Sequence, residues 1–252
     1  MNPLWWGPIA VGAAGMWWLA VARNRRAVAA FEGSGDAAAG IVLFVEPVRW
    51  LFIIWGFASF GRGLRRGGCG ARLDLFRWSG WAGALLVLPD LMHQRRLLTE
   101  ADRLARHIDR LAARHPGTTI HLCGYSSGCY LVTEAVKRLE RPEAVGTVVL
   151  LAGSMSPGYE LGEVADRVRA LHSFHSGGDF IINGLGPWLL GGNDRHRALA
   201  AGMVGFTASR PTPVNEHGWS HRDVRLGYLG DHFSITAAGF IAVRVAPLLT
   251  TP

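Results

Sequence analysis

The segment from His121 to Gly128 contains G-x-S-x-G (Gly124, Ser126, Gly128) at the junction of two patterns with different periods. Residues 119–123 are short, largely apolar and read as a buried strand. Residues 129–136 carry apolar side chains at helical spacing and read as a helix. The two glycines lack a Cβ, so the chain can turn sharply and pack closely there. Such a turn lifts the Ser126 hydroxyl to the carboxyl edge of a sheet. It also leaves the Ser127 N–H at a helix N-terminus, where no intrahelical carbonyl takes it. A plain glycine-rich strand-to-helix turn is the alternative, because the five-residue pattern alone recurs by chance.

The flanking sequence alternates in the same way. Strands are expected at 51–55, 72–78, 118–123, 146–151 and 168–174. Helices are expected around 60–66, 97–115, 127–141 and 235–247. On the second of these, Leu97, Ala101, Leu104, Ile108 and Leu111 share one face, while Arg103, Arg106, Arg110 and Arg114 share another. This order argues for a mostly parallel sheet between two helical layers. The stretch 180–220 shows no strand pattern and reads as a long loop. Hydrophobic residues make up 49% and charged residues 18%, which excludes an intrinsically disordered chain.

The front end is distinct. Residues 3–22 carry no charge, and 20 residues of helix span about 30 Å, the depth of a bilayer core. Trp5 and Trp6 sit near one end, Trp17 and Trp18 near the other, and Arg23, Arg25 and Arg26 follow. This arrangement predicts a single-pass membrane anchor over 1–22, with the remaining chain on the cytoplasmic side. A cleaved signal segment and a buried soluble helix are the alternatives. Residues 23–47 then read as a linker and 48–252 as the main domain.

The turn around Ser126, set in this strand and helix order, resembles the α/β-hydrolase superfamily on its lipase and esterase side. The resemblance implies a three-layer α/β-hydrolase fold, here preceded by the hydrophobic, transmembrane helix. It also implies a nucleophile, an acid and a histidine in that chain order. Asp179 follows a strand and small residues (Ser176, Gly177, Gly178) and takes the acid's place, with Asp194 in reserve. His232 lies in Gly230-Asp231-His232-Phe233 before the last helix and takes the histidine's place, with His217 and His221 as competitors. The oxyanion donors implied are the N–H groups of Ser127 and of Phe57, the latter after Trp55-Gly56. Tyr125, Tyr159 and Trp188 are the expected substrate-binding residues.

The implied activity is hydrolysis of a carboxylic ester, lipid-like or with a hydrophobic acyl group, through an acyl-enzyme on Ser126. A thioester is a further possibility for the same machinery. A hydrolase-fold membrane protein that binds lipid or a protein partner without chemistry is the other reading. The formal net charge of +7 rests on arginine, since Lys137 is the only lysine. No zinc-finger, homeodomain or RNA-binding signature accompanies it, so no nucleic-acid partner is expected. No dinucleotide or phosphate-loop motif is present, and the scattered Cys69, Cys123 and Cys129 form no metal-ligand pattern. No cofactor and no metal are expected. The partners expected are the ester and, through residues 3–22, the membrane.

Overall fold

The computed structural model of the chain describes residues 6–80, 94–207 and 214–250. Six strands form one sheet in the order β2-β1-β3-β4-β5-β6: β1 (Asp36–Val45), β2 (Ala71–Phe76), β3 (Ile120–Tyr125), β4 (Val145–Leu151), β5 (Ala170–His175) and β6 (Val214–Gly218). Every neighbouring pair is parallel. Among the described residues four longer helices accompany it: α1 (Trp6–Ala29), α2 (Phe57–Arg66), α3 (Gln94–Arg114) and α4 (Ser127–Val136).

The period of two along each strand divides the core into two layers. Ile41, Leu43 and Val45 point to the face covered by α3 and α4, where they meet Leu97, Leu104, Ile108 and Leu131. Val42 and Phe44 point to the other face, against Phe57, Phe60 and Leu64 of α2 and Ile241 near the C-terminus. All residues of β3 and β4 are buried, as expected of central parallel strands covered on both sides. The expected last helix is a run of short helical turns from Ser234 to Leu249.

The architecture follows the expected layers, but its first strand lies elsewhere. Strand β1 occupies 36–45, within the stretch read as a linker. Residues 51–55 instead form a tight turn with a single antiparallel bridge between Trp50 and Ile53. Trp55 lines one of two cavities described below and Phe52 and Ile54 the other, so these side chains serve cavity walls rather than the sheet. Strand β6 was also hidden, because Val214–Gly218 is an edge strand with mostly polar, partly exposed residues.

The N-terminal helix departs from the membrane expectation. Among the described residues no helix is long and apolar enough to cross a membrane. Residues 1–5 of the expected anchor lie outside the described residues. The helix carries Arg23, Arg25 and Arg26 within it, and glycine, proline and tryptophan dilute its aliphatic residues. Its C-terminal half is docked on the domain. Val21 and Val28 are buried, and Asn24 exchanges two hydrogen bonds with the Ile54 backbone at 2.9 and 3.1 Å.

Candidate active site

The sheet order reverses direction between β1 and β3, with β2 outside β1 and β4 outside β3. A crevice opens at the carboxyl ends of the strands at such a point. The chain leaving β3 enters it as the turn at Ser126, and the chain leaving β1 enters it at Pro47 and Val48.

Ser126 has φ 55° and ψ −120°, a conformation costly for a residue with a Cβ. Its surroundings hold it there. Its N–H donates to the Leu151 carbonyl at 2.9 Å, and its own carbonyl accepts from Cys129 N at 3.0 Å. The glycines are required by contact. A Cβ on Gly128 would lie 2.4 Å from the Val45 carbonyl oxygen and 2.8 Å from that of Glu46. One on Gly124 would lie 2.7 Å from Cys129 Cα. The turn therefore sits directly against the end of β1.

Three sequence-predicted residues come together at this point. His232 Nε2 is 3.0 Å from Ser126 Oγ, and His232 Nδ1 is 2.6 Å from Asp179 Oδ2. All three are buried, with Ser126 and His232 each 7% exposed at the cavity wall. An ionised carboxylate only accepts, so Asp179 fixes the proton on Nδ1 and leaves Nε2 as the acceptor for the serine hydroxyl. Tight loop contact brings acid and imidazole together. A Cβ on Gly178 would lie 2.9 Å from the Gly230 carbonyl oxygen.

The histidine loop is locked from below. Asp231 accepts from Phe233 N at 2.8 Å and Ser234 N at 3.0 Å, and also from the Ser234 hydroxyl. Partial burial pushes the Asp231 carboxyl up, but the bonds from Ser234 and Phe233 outweigh it and hold its pKa below the usual value. Tyr125 donates its phenol to the His232 carbonyl at 2.8 Å. Burial drives the Tyr125 pKa well up, so it remains a donor.

Two polar residues passed over in the sequence complete the network. Asn183 Nδ2 donates to Asp179 Oδ2 at 2.6 Å and to the Ala152 carbonyl at 3.0 Å. Ser154 donates to Asn183 Oδ1 at 2.9 Å and lies 3.2 Å from Ser126 Oγ. The available signal was the four-residue spacing from Asp179 to Asn183, which a helical turn over Phe180–Leu185 converts into contact.

The serine and histidine open into a cavity of about 310 Å³. Its walls are mainly apolar: Val48, Trp50 and Trp55 from the segment after β1, and Ile182, Pro187 and Leu190 from the long segment after Asp179. Ser127 and Tyr125 also line it. Phe57 does not. It is fully buried in the core, because the segment that reaches the crevice is the one leaving β1, ten residues earlier in the chain. Tyr159 is also displaced. It accepts from Lys137 Nζ at 2.8 Å and bonds to Glu134 on the outer side of α4, away from the cavity. Trp188 is absent from the cavity walls and is 57% exposed.

The competing residues have other partners. Asp194 accepts from Ser156 N at 3.0 Å. His217 lies 3.0 Å from His172 across β5 and β6, and His221 packs against Trp219. Among the described residues no group of three or more His, Cys, Asp or Glu could hold a metal ion.

A parallel sheet between helical layers, with a strained serine turn after its central strand, is the α/β-hydrolase fold. Neither a family model nor a curated protein matches the sequence. Solved structures do. An α/β serine hydrolase without lid from Xanthomonas campestris superposes with a TM-score of 0.51 at 14% identity, covering 88% of each chain. A Trichoderma reesei cutinase in complex with a phosphonate inhibitor matches over 98% of this chain and 94% of its own, with TM-score 0.47 and 16% identity. Dienelactone hydrolase from Anabaena variabilis covers 86% of each chain, with TM-score 0.48 and 15% identity.

Proposed function

We propose that the protein is a serine hydrolase that cleaves an ester with a hydrophobic acyl group through an acyl-enzyme on Ser126. The observation that carries this reading is the Ser126–His232–Asp179 hydrogen-bond chain on a strained turn, opening into an apolar cavity. Ser126 Oγ attacks the ester carbonyl while its proton passes to His232 Nε2. Asp179 stabilises the resulting imidazolium through the Nδ1–H bond. The imidazolium then gives its proton to the departing alkoxide oxygen as the carbonyl carbon–oxygen bond breaks. Water repeats the cycle on the acyl-enzyme, and Ser126 recovers its proton.

The oxyanion of each tetrahedral intermediate needs fixed donors. The Ser127 N–H lies at the start of α4, beside the nucleophile. The second donor in this reading is the Val48 N–H, in place of the expected Phe57 N–H. Pro47 has no N–H, and Val48 follows it in the wall of the cavity.

The test is labelling of the full chain with a fluorescent fluorophosphonate, with the labelled residue mapped by mass spectrometry. Label on Ser126 that disappears in His232→Ala is the expected result. An unlabelled protein with a native circular dichroism spectrum would remove Ser126 as an activated nucleophile.

A further inference from the structure

A second cavity, of about 260 Å³, lies between the C-terminal half of α1 and the turn at 51–55. Its walls include Arg25, Arg49 and Arg77, against one acid, Glu32. With Glu46, which pairs with Arg49, three positive charges meet two acids, a surplus of one. Arg77 is paired with Glu32 through two bonds, at 2.5 and 2.6 Å. Arg49 uses Nη2 for both oxygens of Glu46, at 2.9 and 3.1 Å. Its Nε is shielded from solvent and meets no acceptor among the described residues. Arg25 is exposed and forms no ion pair among the described residues.

A guanidinium with an unmet donor beside a free guanidinium suits an oxyanion, and a surplus of one matches the low charge of an esterified phosphate.

The cavity rim indicates where such a phosphate comes from. Phe52 forms part of the wall and stacks on Trp18 of α1, with ring centres 5.8 Å apart. From there α1 carries exposed Val11, Met16, Trp18 and Leu19. An apolar strip that starts at the edge of a cationic cavity suits an amphiphile, with phosphate in the cavity and hydrocarbon along the helix.

We propose that the cavity formed by Arg25, Arg49 and Arg77 binds the phosphate of an anionic phospholipid headgroup and seats the protein on a lipid surface beside the mouth of the first cavity. Trp50 and Trp55 of the intervening turn face the first cavity, and Phe52 and Ile54 face the second. The seating therefore places the hydrolase mouth next to the lipid surface. It does not depend on Ser126 acting as a nucleophile.

The full chain is tested by co-sedimentation with phosphatidylcholine vesicles, with and without phosphatidic acid. Arg25→Glu alters the cavity. Arg23→Glu makes the same charge change on the same helix outside the cavity walls. Binding that requires phosphatidic acid, survives in R23E, weakens at least about tenfold in R25E and is competed by inorganic phosphate supports the proposal. Equal loss in R23E and R25E overturns it in favour of unspecific charge attraction. A melting-temperature rise with inorganic phosphate that R25E abolishes, without vesicle binding, overturns the lipid source and leaves a soluble phosphate ligand. Neither vesicle binding nor a phosphate response overturns the site. An unchanged circular dichroism spectrum of R25E shows that the variant is folded.

Discussion

Asn183 holds Asp179: its Nδ2 donates to the carboxylate at 2.6 Å and, with its other proton, to the Ala152 carbonyl at 3.0 Å. Both neighbours only accept, so the orientation of the amide is fixed. Its Oδ1 can then only accept, which forces the Ser154 hydroxyl proton toward Asn183. Ser154 therefore faces Ser126 as an acceptor and competes with His232 for the Ser126 proton at 3.2 Å against 3.0 Å. The residue that orients the acid thus also sets the hydrogen-bond direction at the serine.

Replacing Asn183 should reveal this coupling. Asn183→Leu removes a bond to a charged acceptor, a loss of about 1.5–3 kcal/mol that corresponds to roughly ten- to a hundredfold in kcat. The change should fall on kcat, with KM nearly constant, since Asn183 lies behind the acid and away from the cavity. Steady-state kinetics on a chromogenic ester, with a melting curve to confirm folding, would read it. An unchanged kcat would show that Asp179 keeps its position without the amide.

The close approach at Gly128 makes a stability prediction. In Gly128→Ala the new Cβ would sit 2.4 Å from a backbone oxygen of β1, which has no rotamer to move. Either the turn or β1 must shift, at a cost of at least about 2–3 kcal/mol. Urea denaturation should show a midpoint shift of that size, together with lost activity. An unchanged midpoint would mean that the turn and β1 can separate freely.

The readable and unreadable parts of the sequence divide along physical lines. Ser126, Asp179 and His232 were legible because each follows or precedes a strand or helix boundary with its own local signature. Strand β1 was not, since its first half (Ala37, Ala38, Ala39, Gly40) has linker composition and its pairing with β2 shifts register between Asp36 and Ile41. Reading the strand at 51–55 puts the expected oxyanion donor at Phe57, whereas the donor proposed above lies on the segment after Val45. Apolar and aromatic residues at 50–55 look like a strand because one-dimensional pattern cannot tell burial in a core from the lining of a cavity. Tyr159 was misplaced for a related reason. Its loop follows the right strand, but Lys137 and Glu134 on the outer side of α4 capture the phenol.

Acid should destabilise the fold through His121. This side chain is 4% exposed, and its Nδ1 accepts from Thr147 N at 3.1 Å across β3 and β4. Burial, with a smaller contribution from Arg169, lowers its pKa from 6.5 to about 4. Above 6.5 the imidazole is neutral in both folded and unfolded states, and its contribution is fully present. Between 6.5 and 4 the unfolded chain binds a proton that the folded chain does not, so stability falls with pH, by up to about 3 kcal/mol. Below 4 this loss levels off. Denaturation midpoints measured across that window should show the slope, and His121→Asn should flatten it. A slope that persists in the variant would assign it to other groups.

The apolar cavity should make hydrolysis depend on acyl length. Each methylene moved from water into the cavity contributes about 0.8 kcal/mol, or up to roughly fourfold in kcat/KM if the transition state keeps that contact. The increase should stop once the cavity of about 310 Å³ is filled. Trp50 and Trp55 stack with ring centres 4.9 Å apart and form one wall, so Trp50→Ala enlarges that end. The variant should shift the plateau to longer chains while leaving short esters nearly unaffected, because Trp50 makes no hydrogen bond to Ser126 or His232 among the described residues. A series of p-nitrophenyl esters of increasing length, run on both proteins, measures this directly. If the plateau stays put in the variant, the acyl chain lies instead along Ile182, Pro187 and Leu190, and the alcohol portion faces the tryptophans.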